Sequence, residues 1–311
     1  MRRTAFGLAL AAAANAAPAE PWRHEEAPVN GVTLHYAVAG QGMTTLFLHG
    51  FPEFWYAWRR QLLEFGRERQ AVAVDMRGYN LSSKPEKVEE YALPVLVEDV
   101  RALLERLSPS RRAVLVGHDW GGVVAWTFAM AHPERLEKLV IINAPHPAIF
   151  ARELRENPRQ REASRYMDLF RSPAAEAALS AMDYAPLAAA VFGGARRPEA
   201  FTEGDRKRYR EAWARPGALT GGLNYYRAAN LGPNAAAPDT PIERGLPAAG
   251  MVPVPTLVLW GERDTALLAG NLDGLERFVP SLKIDRVPEA GHWIVHEEPE
   301  RVNREIRDFL R

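Results

Sequence analysis

The 311-residue chain has no cysteine, which excludes a disulfide, a thiolate nucleophile and a cysteine-ligated zinc site. It has no excess of either charge: Lys+Arg and Asp+Glu each number 39, so there is no net basic field to attract nucleic acid or an anionic membrane. No stretch approaches the ~18 apolar residues of a membrane span. Nor does a G-x-S-x-G occur, the pattern that would present a serine nucleophile at a sharp strand-to-helix turn. What remains is a chain of ordinary globular composition, 47% hydrophobic and 25% charged, whose expected partner is a small molecule rather than nucleic acid or a membrane.

The first residues are set apart from the fold. In "MRRTAFGLALAAAANAAPAE", Arg2 and Arg3 precede an apolar run from Ala5 to Ala14 and then the small residues "ANA", the order of a secretory signal. Residues 1–21 are read either as such a signal or as a disordered extension. If residues 1–17 are a signal, the protein is periplasmic or secreted; otherwise it is cytoplasmic.

Beyond that segment strand and helix patterns alternate. "VTLHYAVAG" suits a half-exposed edge strand. "TTLFLHG", "AVAVDMRG", "AVLVGHD", "LEKLVIINAP" and "PTLVLWGERD" are short apolar runs closed by turn residues, as expected of buried parallel strands. Leu93 to Leu107 has helical spacing, with Leu96, Val100, Leu103, Leu104 and Leu107 on one face. "WGGVVAWTFAMAHPERL" predicts a helix packed nearly all round, and "VNREIRDFLR" closes the chain as another. This predicts an α/β fold: a mostly parallel sheet with helices on both faces. The alternation stops over residues 148–245, where helical spacing in an Ala-, Arg- and Glu-rich stretch predicts a helical insertion between core segments 22–147 and 246–311.

One turn stands out chemically. In "GHDWGG" the glycines around Asp119 permit a tight turn that pushes the carboxylate out at the carboxyl end of a buried strand, where open α/β sheets bind ligands. The competing role for Asp119 is an N-cap of the helix beginning at Trp120. A nucleophile there needs a histidine and an acid to orient it. His292 follows a strand and Gly291 on a loop before the last helix, the place of the third member in the chain order nucleophile, acid, histidine. Asp264 ends the preceding strand and is the natural acid, because the other place for one, after "LVII", carries Asn143. A turn or cap is the alternative role for Asp264. A zinc pair of His292 and His296 is disfavoured by the loop setting and the lack of an acidic third ligand, so no metal is expected. The strand ending in His49, Gly50, Phe51 and Pro52 offers the Phe51 N–H, which could pair with that of Trp120 as an oxyanion hole. Trp55, Tyr56 and Trp58 are read as packing.

The set "HGFPEFWYAW", "GHDWGG", "INAPHP", "GGLNYYRA" and "AGHW" resembles the epoxide hydrolases of the α/β-hydrolase fold, over about Trp22 to Arg311. "GHDWGG" also resembles haloalkane dehalogenases, which share the aspartate nucleophile and remain the alternative. The resemblance implies that the helical insertion is a cap. It also implies two cap tyrosines that hydrogen-bond and protonate the epoxide oxygen: Tyr226 in "LNYYRA" and, on a looser match, Tyr166 in "YMDLFRSP". His49, Pro52, Trp120 and Trp293 are expected around the substrate. The implied reaction converts an epoxide and water to a vicinal diol through an ester on Asp119, with neither metal nor organic cofactor. A homodimer is left open.

Overall fold

A computed structural model describes residues 20–235 and 250–311. The signal-like segment 1–17 and the expected end of the insertion at residue 245 lie outside them.

Eight strands form one sheet in the order β1-β2-β4-β3-β5-β6-β7-β8, with β4 at Gln70–Val74 and β6 at Leu136–Ile142. The pairs β1–β2 and β2–β4 are antiparallel, and every later pair is parallel. The central strands β3 (Thr44–Leu48), β5 (Ala113–His118) and β7 (Thr256–Gly261) are buried at every residue. Continuous apolar runs therefore form strands here, because both faces are covered by helices and neither has to meet water. Each Val, Leu or Ile so buried contributes roughly 1.5–3 kcal/mol relative to exposure.

The expectation for Val32 to Gly40 needs correction. β2 (Val32–Ala39) lies inside the sheet, and its last six residues are buried. The edge is β1 (Arg23–Val29), where Arg23 to Glu26 are exposed. Its charges hide the strand from a hydrophobic pattern search, and such charges are also what keeps an edge from pairing with other chains.

Helix α1 (Arg59–Phe65) follows the aromatic turn at Trp55–Trp58. Helix α2 spans Leu93–Leu107 and buries Leu96, Val100, Leu103 and Leu104, as the spacing predicts. Helix α3 (Trp120–Ala131) buries every residue but its last. Its start presses on the strand beside it: a Cβ on Gly121 would lie 2.2 Å from the Leu48 carbonyl oxygen. The site therefore sits where β3 and β5 end together, with α3 leading away beneath it.

The insertion is helical throughout its described part, running from α4 (Pro147–Glu156) through α5 (Pro158–Ala163), α6 (Tyr166–Arg171), α7 (Ala175–Ala188) and α8 (Glu203–Trp213) to α9 (Ala218–Ala229). Thr202 and Asp205 form a reciprocal capping box at the start of α8. Helix α7 is broken where Met182, Asp183 and Tyr184 all take positive φ. Helix α9 approaches the core closely because Gly221 has no side chain; a Cβ there would fall 2.4 Å from the Gly78 carbonyl oxygen. That approach sets the depth of Tyr225 and Tyr226, both buried. The chain ends with β8 (Leu282–Val287), the short α10 (Ile294–Glu297) and α11 (Pro299–Leu310).

Candidate active site

Asp119 occupies the turn between β5 and α3 at φ 51° and ψ −123°. A non-glycine residue holds such a conformation only where its surroundings fix it, commonly at functional sites. Its side chain makes no capping bond to α3, so the N-cap alternative falls away. Instead Oδ1 accepts the backbone N–H of Phe51 at 2.8 Å. The Trp120 N–H, at the first position of α3, has no carbonyl one turn back to bond. The Phe51–Pro52 bond is cis.

The other oxygen, Oδ2, faces His292 Nε2 at 3.7 Å. On the far side of the ring, His292 Nδ1 donates to Asp264 Oδ2 at 2.7 Å. Asp264 makes the contacts of both roles considered for it. Its Oδ1 accepts the N–H groups of Ala266 and Leu267 (2.8 and 2.9 Å), closing a turn, while Oδ2 holds the histidine. Asn143 donates to the same Oδ2 at 2.8 Å and accepts the Gly261 N–H at 2.8 Å. The position that carries no acid thus steadies the acid on the next strand.

Burial alone would lower the pKa of His292. The charge and hydrogen bond of Asp264, with the charges of Asp119 and Glu53, outweigh it and raise the pKa from 6.5 to about 9. The resting imidazole therefore carries a proton at neutral pH, between two carboxylates. Because the folded value is raised, the stabilisation is fully present below pH 6.5 and is lost as pH rises through about 9. Thermal unfolding should accordingly show a midpoint that falls between pH 6.5 and 9, and the fall should flatten in His292→Gln. A wild-type midpoint that is constant or rises over that range would contradict the pairing.

A narrow cavity opens above Asp119, lined among others by Trp120, Tyr166, Met167, Tyr226 and Leu267. The rings of Tyr166 and Tyr226 stand edge to face with centroids 6.4 Å apart, and Tyr226 also meets the Trp120 ring at 5.1 Å. Burial, then the charge of Asp119, pushes both phenols well above their ordinary pKa of 10. Each therefore keeps its proton and can act as a donor. Among the described residues, the walls carry no charged group apart from Asp119.

Three residues expected around the substrate lie elsewhere. His49 is fully buried; its Nδ1 donates to the Gly50 carbonyl (2.8 Å) and its Nε2 accepts the Met76 N–H (3.1 Å). Both ring nitrogens are spent on backbone, so it is a fixed part of the strand end. Pro52 lines a separate cavity with Glu53, Tyr79 and Trp213, and its carbonyl accepts the Trp213 indole N–H. Trp293 packs edge-on against His292 and donates to the Ala190 carbonyl (3.2 Å). Phe51 contributes its N–H to the site, while its ring packs on Phe170 and Tyr226.

A buried polar group behind His292 went unforeseen. His118 Nε2 donates to the His292 carbonyl at 2.9 Å, and its Nδ1 faces Glu53 at 3.2 Å. Glu53 Oε1 meets His296 Nε2 at 2.7 Å and accepts the Tyr209 hydroxyl at 2.7 Å. Burial opposes its ionisation, but the charges and hydrogen bonds of His296 and His118 hold its pKa well below the ordinary value. His296 thus faces Glu53. The sequence signal was one acid, Glu53, in the otherwise apolar "FPEFWYAW".

This turn, triad and lidded parallel sheet define a hydrolase, and residues 46–299 match the model of the alpha/beta hydrolase fold family. A Bacillus subtilis AB hydrolase superfamily protein, YfhM, is 41% identical over 91% of this chain and 96% of its own. Epoxide hydrolase 3 of Xenopus tropicalis is 38% identical over 91% of this chain and 76% of its own. Among solved structures, the Bacillus megaterium epoxide hydrolase in complex with an inhibitor superposes with a TM-score of 0.85 at 38% identity, over 92% of this chain and 99% of that one. The chain belongs to the α/β-hydrolase fold family and, within it, to the epoxide hydrolases.

Proposed function

We infer that the protein converts an epoxide and water to a vicinal diol through a covalent ester on Asp119, with His292 as base, Asp264 as its orienting acid, and Tyr166 and Tyr226 as donors to the ring oxygen. The observation that carries this reading is the meeting of one carboxylate and two phenols across a single cavity whose other walls, among the described residues, are uncharged. An acyl substrate would form a reactive anhydride with Asp119. A strained epoxide carbon forms an ordinary alkyl ester.

In the first half, Asp119 Oδ2 attacks a ring carbon and the carbon–oxygen bond of the ring breaks. The alkoxide so released is very basic, and phenols can donate to it where water alone would be slow. As Asp119 loses its charge to the ester, one cause of the raised phenol pKa values disappears, and the donors strengthen as they are needed. The same neutralisation removes one of the charges that hold the proton on His292. Once neutral, the imidazole takes a proton from water, which attacks Cγ of Asp119. The oxyanion forms at Oδ1, already held by the Phe51 N–H. Cleavage of the Cγ–Oδ2 bond then releases the diol, which carries the former Oδ2 and takes the proton back from the His292 imidazolium.

The test is a single turnover in heavy-oxygen water with enzyme in excess over a styrene-type epoxide. The first diol should contain no label, and the peptide holding Asp119 should gain it. Label in the first-turnover diol would mean that water opens the ring directly, and the ester would be excluded.

A further inference from the structure

One short stretch of the cap touches both triad loops. Residues Ala189–Gly193 form a π-helical turn after α7, a form that occurs frequently at functional positions. Trp293, next to the histidine, donates to the Ala190 carbonyl. The Arg196 guanidinium donates at 3.0 Å to the carbonyl of Arg263, the residue before Asp264. Arg197 donates at 3.1 Å to the Glu297 carbonyl and pairs with Glu298.

Glu297 joins these contacts. It is 3% exposed. Its Oε2 accepts the N–H of Gly291 at 2.6 Å, the residue immediately before His292. Its Oε1 accepts the N–H of Arg196 at 2.8 Å. One oxygen closes the histidine loop on itself, and the other takes a backbone donor from the cap. Hydrogen bonds to an ionised acceptor are roughly twice as strong as neutral ones. Both donors are main-chain groups, so they fix the path of the loop and not merely a side chain.

We propose that Glu297 is a positioning residue for His292: it locks the loop that carries the base and ties that lock to the seat of the cap. The proposal rests on the two-step ester reading, because it divides the two halves of the reaction. Ring opening uses Asp119 and the phenols and does not need His292 as base. Ester hydrolysis needs the imidazole aimed at a water beside Cγ. Loosening the loop therefore slows the second half and spares the first.

Glu297→Gln keeps the shape but supplies one acceptor oxygen and one amine, so one of the two N–H groups faces a donor. Rapid-quench measurement of adduct mass and of diol release reads the two halves separately. Alkylation should stay within about threefold of wild type while ester hydrolysis falls by about ten- to a hundredfold, the scale of a small misplacement of a catalytic group. Arg196→Ala keeps its backbone donor, removes the contact to the Arg263 carbonyl and the stem that lies over Gly291, and should slow hydrolysis about three- to tenfold with alkylation unchanged. A general loss of stability would instead lower both halves by a common factor, and that result overturns the proposal. So does hydrolysis within about twofold of wild type in folded Glu297→Gln, a difference too small for a lost aiming contact. If that variant does not fold, unchanged hydrolysis in Arg196→Ala overturns it. His292→Gln separates the two readings: no adduct there means that His292 takes part in ring opening, which removes the division into two halves and this proposal with it, whereas an adduct there beside normal hydrolysis in Glu297→Gln sinks the proposal alone.

Discussion

The variant with phenylalanine at both Tyr166 and Tyr226 should form almost no diol, while each single variant should retain measurable ring opening. Both rings line the cavity that holds Asp119, and each phenol is kept protonated by burial and by the charge of Asp119. On the proposed mechanism they act as donors to one developing alkoxide. Loss of one donor to an oxyanion typically costs ~2.7–4 kcal/mol, or about 10²–10³ in rate, and a surviving partner should hold each single penalty at or below that range. Because both donate to one atom, the penalties should not add, and the departure from additivity measures how far the two share a function. Alkylation rates from rapid-quench mass measurement, taken for wild type, both single variants and the double variant, complete the cycle. A departing halide needs no proton, so a dehalogenase would be largely indifferent to both changes. Near-native diol formation by the double variant would remove the tyrosines from the mechanism.

Much of this site could be read from the chain because its parts are local. Gly117, Gly121 and Gly122 surround Asp119 in sequence, and the turn they permit is a short-range property of the backbone. His292 and Asp264 follow from chain order and from the ends of strands. The buried strands were legible as apolar runs, and the sheet edge was not, because β1 is written in charged residues. What stayed hidden depends on contacts between distant positions. Glu53 meets His118 across 65 residues and His296 across 243, and no periodicity marks such a pair. His49 looked like a site residue because it adjoins Gly50 and Phe51, yet its ring turns to the backbone of its own strand end and its neighbour. Proximity in sequence placed it correctly at the strand end; only the fold decides which way a ring faces.

In His292→Gln the protein should react once and stop. On the proposed mechanism the nucleophile is untouched, since Asp119 Oδ1 should keep the Phe51 N–H, and both phenols remain to donate to the ring oxygen. The chain should gain the mass of one substrate, located by digestion to the peptide containing Asp119. Steady-state turnover should then fall by about 10²–10⁴, the usual contribution of a general base. Glutamine is the informative replacement because its amide can still meet Asp264 Oδ2, now 2.7 Å from the ring nitrogen, without offering a base toward the ester. Removing the imidazole also removes a positive charge between Asp119 and Asp264, so alkylation itself should change modestly while hydrolysis collapses. The acid needs the histidine in order to matter: Asp264→Asn should lower the His292 pKa from about 9, whose main upward cause is the Asp264 charge, and leave the ring free to turn away from Asp119. Such a variant should accumulate ester as well, though less completely, because an imidazole remains to find the water occasionally. Turnover at the native rate in His292→Gln would show that another group activates the water. Failure to form any adduct, in a protein that still folds, would show that His292 belongs to ring opening, and the division of work between the cap phenols and the triad would have to be redrawn.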